Sequence, residues 1–77
     1  MIELIDCEDL VFDKDNFDSV LRRIRGNRDI TQYKLADLSG LTQSTISAAE
    51  LGRYPTMLTV WDMLDAMDYE LVVREKR

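Results

Sequence analysis

The chain has 77 residues, 45% of them hydrophobic and 32% charged, a composition that describes one small soluble domain and leaves no room for a second core. Cys7 is the only cysteine and histidine is absent, which excludes an intrachain disulfide, a Cys/His zinc site and any histidine-based triad. The net charge of −5, taken as a whole, argues against nucleic acid, whose phosphates require a positive surface.

The charge is unevenly placed, however. Met1 to Ser19 holds Glu3, Asp6, Glu8, Asp9, Asp13, Asp15 and Asp18 against Lys14 alone. Val20 to Pro55 holds Arg22, Arg23, Arg25, Arg28, Lys34 and Arg53 against Asp29, Asp37 and Glu50, and Thr56 to Arg77 is acidic again. The middle is the only basic block, which either presents one positive face or is simply a solvated surface. No apolar run approaches a membrane span, and the first fifteen residues are acidic rather than basic. Neither a transmembrane helix nor a signal peptide is therefore expected, and a cytoplasmic location is.

Residues 1–15 follow neither the helical nor the strand period and read as an acidic arm. From Phe17 the pattern sharpens: Phe17, Val20, Leu21 and Ile24 have the i, i+3, i+4, i+7 spacing of a helix face, with Asp15 or Asn16 as N-cap and Gly26 as terminator. Two further starts share one signal. Ile30 precedes Thr31 with Leu35 beyond it, and Leu41 precedes Thr42 with Ile46 beyond it, each an apolar staple around a threonine N-cap. Gly40 falls where the left-handed residue after a helix belongs, so the second helix ends and the third begins after a very short turn. Gly52 plays the same part after the third helix.

Pro55 and Thr56 restart the chain. Met57, Val60, Trp61, Leu64 and Met67 then line one face of a fourth helix, which predicts that Trp61 is buried among Ile24, Leu35, Ile46 and Leu64. After Asp68 the period changes to two over Tyr69 to Val73, the signature of a short strand. A lone strand cannot satisfy its own backbone, so pairing with the same strand of a second copy is expected.

Two short helices joined by a tight glycine turn are the helix-turn-helix unit, whose second helix enters the DNA major groove. The run from Thr31 to Ser47, TQYKLADLSGLTQSTIS, followed by Glu50-Leu51-Gly52-Arg53, closely resembles the Cro/phage-repressor (XRE) helix-turn-helix family. The resemblance extends more loosely from about Phe17 to Met67, and Tyr69–Val73 is similar to the dimerising strand of some members, antitoxins among them. The fold it implies is all-α: a four-to-five-helix repressor-type domain over residues 16–68, then a dimerisation strand and charged tail over 69–77.

By position, the resemblance makes Gln32 a phosphate clamp at the start of the second helix. Thr42, Gln43, Ser44, Ser47 and Ala48 fall on the reading side of the recognition helix, with Arg53 and Tyr54 against the backbone of the same DNA. The chemistry agrees independently, since glutamine can bond both N6 and N7 of adenine, serine suits several base edges and alanine suits a thymine methyl. Arg25 and Glu50 take the places of a structural ion pair, and Tyr69, Leu71, Val72 and Val73 those of the dimer strand. Arg22, Arg23, Arg28 and Lys34 are assigned to general positive surface. The recognition helix carries no Arg or Lys, so bidentate guanine contacts are not available from it and binding should be modest and salt-sensitive.

The leading function is a homodimeric, sequence-specific DNA-binding regulator, most simply a repressor on a two-fold symmetric operator of double-stranded DNA. The alternatives are an antitoxin that also binds a toxin protein, and an adaptor that kept the fold and lost DNA binding. No catalytic constellation, metal site or cofactor is expected, because the carboxylates form no recognisable pattern and Cys7 has no base partner.

Overall fold

The computed structural model describes residues 12–73 together with Glu75; most of the acidic arm, residues 1–11, and Cys7 within it lie outside that range. Four helices follow one another: α1 (Phe17–Asn27), α2 (Gln32–Ser39), α3 (Gln43–Glu50) and α4 (Met57–Ala66). Three of them start on a threonine. The side chains of Thr31, Thr42 and Thr56 accept hydrogen bonds from the backbone N–H of Lys34, Thr45 and Thr59 at 3.0, 3.2 and 3.2 Å, each satisfying an amide that the helix itself leaves without a partner. Asn16 precedes α1, but its side-chain oxygen makes no cap bond to that helix and accepts instead from the N–H of Asp13.

The helix ends show a second recurring device. After α3, Gly52 (φ +92°) takes the left-handed conformation, its N–H donates to the Ala49 carbonyl, and the N–H of Arg53 donates to the Ala48 carbonyl at 3.0 Å. This paired closure reverses the chain while satisfying carbonyls of the last turn. Aspartates occupy the equivalent position twice, Asp29 (φ +57°) after α1 and Asp68 (φ +67°) after α4, with Ile30 and Tyr69 donating back to Arg25 and Leu64. Gly26, expected to terminate α1, is instead inside it. The reason is that the chain turns only at Asp29, since an aspartate tolerates the left-handed region better than most side chains do.

Phe17, Leu21 and Ile24 of α1, Leu35 of α2, Ile46 and Ala49 of α3, and Val60, Met63, Leu64 and Met67 at α4 form the buried core. Trp61 corrects the sequence reading. It is 50% exposed, whereas Met63 is fully buried, because the face that α4 turns inward is centred between Val60, Met63, Leu64 and Met67. Trp61 lies off its edge, as does Met57. Leu21, Ile24, Leu35 and Ile46 each have essentially no exposed surface; deleting one would cost about 2–5 kcal/mol.

The expected strand over Tyr69–Val73 is likewise not formed in the single chain. A strand needs a ladder partner and none stands beside it among the described residues. Tyr69 instead closes the α4 turn with its N–H on the Leu64 carbonyl at 2.9 Å, and its ring lies under the Arg28 guanidinium, 4.5 Å away. Leu71 rests against the core, while Val72 and Val73 are exposed.

Candidate nucleic-acid interface

The short α2–α3 connection sets the interface. Gly40 (φ +78°) caps α2, the side chain of Ser39 accepts from the Leu41 N–H at 3.3 Å, and Thr42 begins α3 at once. Ile46, Ala49 and Glu50 are the buried residues of α3. Ser44 and Ala48 therefore lie on the opposite side of the helix, with Ser47 on its flank, while Gln43, two turns before Glu50, lies at the edge of the inward face. Ser44 is exposed, and Gln43, Ser47 and Ala48 are half-buried. The Thr42 hydroxyl is engaged by the cap and by the Thr45 hydroxyl at 2.9 Å, so its first task is to start the helix.

One chain of polar contacts ties this face to the rest of the domain. The Arg25 guanidinium grips Glu50 with two bonds, Nε to Oε2 at 2.7 Å and Nη2 to Oε1 at 2.9 Å, and sends Nη1 to the Ile30 carbonyl at 2.9 Å. Gln32 Nε2 then donates to Glu50 Oε1 at 3.0 Å, and Gln43 Nε2 donates to Gln32 Oε1 at 2.7 Å. Glu50 is 1% exposed, yet no buried side-chain polar atom among the described residues lacks a partner. Hydrogen bonding to Glu50, reinforced by its charge, raises the pKa of Arg25 above the usual arginine value against the opposing effect of burial.

The direction of these bonds follows from chemistry. An ionised carboxylate can only accept, so Gln32 must turn its amide nitrogen to Glu50 and its oxygen outward. Gln43 must then give its nitrogen to Gln32. What remains on Gln43 is its carbonyl oxygen and a second N–H, an acceptor beside a donor, the complement of the N6 and N7 edge of adenine.

Arg53 and Tyr54 follow the closing turn and are both exposed; Tyr54 packs its ring on Phe17, with centroids 5.2 Å apart. Two arginines read as general positive surface, both exposed, also have specific partners. Arg22 donates to the backbone carbonyl of Glu50, so α1 holds both the side chain and the main chain at the end of α3. Arg28 donates Nε to the Met67 carbonyl at 2.7 Å, fastening α1 to the end of α4. Their partners lie 28 and 39 residues away, and local sequence carries no signal for such pairings.

Among the described residues, no group of three or more His, Cys, Asp or Glu is placed to hold a metal ion, and no helix is long and apolar enough to cross a membrane. A family model described as helix-turn-helix matches residues 21–73, from within α1 to past α4. No curated protein and no solved structure matches the chain.

Proposed function

Because this chain belongs to the Cro/phage-repressor (XRE) family of helix-turn-helix proteins, whose members are DNA-binding regulators, we propose that it is a sequence-specific repressor acting as a homodimer on a two-fold symmetric operator. One observation carries the reading of sequence: the Glu50–Gln32–Gln43 chain leaves Gln43, at the first turn of α3, with an acceptor and a donor side by side. Gln43 reads adenine. Ser44, Ser47 and Ala48 contact neighbouring base edges, and Gln32, Thr42, Arg53 and Tyr54 fix the register against phosphates. The basic middle of the chain supplies the attraction that the net charge would otherwise deny.

Two half-sites are needed because one such helix, without Arg or Lys, binds weakly. Pairing of Tyr69–Val73 with its two-fold mate links two reading helices, and Val72 and Val73, 73% and 94% exposed, are the side chains such pairing would cover. Linkage raises the effective concentration of the second half-site.

Selection of preferred sequences from random duplexes, followed by footprinting, tests the proposal. Gln43→Ala should weaken the selected site by about 1–3 kcal/mol and leave random duplexes nearly unaffected. Arg53→Ala should weaken both. Equal effects of both variants on both kinds of duplex would remove the assignment of base reading to α3. For the dimer, sedimentation at micromolar concentration should show two chains, and Val72→Asp with Val73→Asp should give a monomer with half-site affinity only.

A further inference from the structure

Helix α4 carries more apolar surface than the core covers. Beside its buried face, Met57, Leu58 and Trp61 remain 54%, 68% and 50% exposed. Trp61 lies one turn beyond both Met57 and Leu58, so the three side chains form a single stripe along the helix. Asp62 and Asp65 are exposed next to it. No Lys or Arg occurs from Thr56 to Val73, whereas Asp62, Asp65, Asp68 and Glu70 do. The stripe shares no residue with the outer face of α3, and α4 packs chiefly on α2.

We propose that this stripe is a docking surface for an amphipathic helix with a basic rim, supplied by another protein. Three large apolar side chains on one exposed arc are the kind of anchors that a partner helix buries, and tryptophan is enriched at such anchor points. The bordering carboxylates select the sign of the partner's rim. A second copy fits less well: two α4 helices related by a two-fold axis would set Asp62 and Asp65 against their own equivalents or against Met57 and Leu58, with no cation on either helix.

The test uses the full chain and a synthetic leucine/lysine amphipathic helix of about four turns, with a leucine/glutamate helix as control. Trp61 is the only tryptophan, so its emission reports on the stripe alone. The lysine peptide should shift that emission to the blue, shield it from acrylamide and saturate, while the glutamate peptide does neither. Leu58→Ser should weaken the peptide by about tenfold, through lost apolar burial, and leave operator binding and thermal stability unchanged, because Leu58 touches solvent rather than core. Asp62→Asn with Asp65→Asn should flatten the salt dependence of peptide binding. The proposal fails if Leu58→Ser binds the peptide as well as the parent does, or if Trp61 emission does not move, since either result means general attraction to an acidic chain. It also fails if the protein alone forms a dimer that Leu58→Ser dissociates, which would assign the stripe to a second copy.

Discussion

Glu50 sits at the junction of three helices, and its inability to donate a hydrogen bond determines which way two glutamines point. That makes it costly to disturb one partner at a time. Arg25→Met leaves a buried carboxylate without its counter-charge and should cost about 3 kcal/mol in urea unfolding, whereas Arg25→Met with Glu50→Met should recover part of the loss. A double variant less stable than Arg25→Met alone would show that the pair is more than mutual compensation. The pKa of Arg25 is raised in the folded state, so its contribution is fully present below the unfolded value and is lost only as pH climbs through the higher folded one. The cost of Arg25→Met should accordingly be the same at about pH 7 and about pH 10. Gln32 and Gln43 are coupled as well. In operator binding their alanine substitutions should be non-additive by about 0.5–1.5 kcal/mol, measured in a double-mutant cycle.

At the scale of elements, the threonine starts and the Gly40 and Gly52 turns were legible because each is a local arrangement of a few residues. Helix α4 was legible as a helix but not as a face. Its apolar residues occupy more than half of its circumference, so periodicity accommodates Trp61 inside as readily as Met63, and only the packing of α2 and α1 against it decides. Met63→Ala should cost about 2–5 kcal/mol, and Trp61→Ser less than about 1 kcal/mol; thermal melts of the two variants separate these. The turn after α1 was misplaced by three residues for a related reason, since a glycine is the stronger signal but Asp29 takes the left-handed position. Asp29→Gly should therefore stabilise the domain by about 0.5–1 kcal/mol, raising the melting temperature by a few degrees. It also removes a negative charge from the end of a helix where the dipole disfavours one.

For the whole molecule, net charge proved a poor guide because the acids and bases are segregated along the chain. The proposed site residues come from the family resemblance, residue by residue. Their connection into one hydrogen-bonded chain was not legible, because Gln32 on α2 stands between Gln43 and Glu50, the two ends of α3, and only the fold brings the two helices together. The strand was read from a two-residue period for which the described residues of the single chain offer no ladder partner, and the proposed pairing would need a second copy.

The Arg28 clasp on Met67 spans 39 residues, further along the chain than the Arg25–Glu50 and Gln32–Glu50 contacts, which span 25 and 18. Loop-closure entropy makes such distant contacts, the Arg28 guanidinium on Met67 and on the Tyr69 ring together, late to be worth forming during folding. The four-helix framework should thus assemble quickly from its nearer contacts, with the clasp fastened after the rate-limiting barrier. Arg28→Ala should then accelerate unfolding severalfold while leaving the refolding rate almost unchanged, a split that stopped-flow chevron analysis resolves. A matching slowdown of refolding would place the clasp in the folding nucleus instead. On this reading Arg28 sets how long the domain, once folded, stays closed.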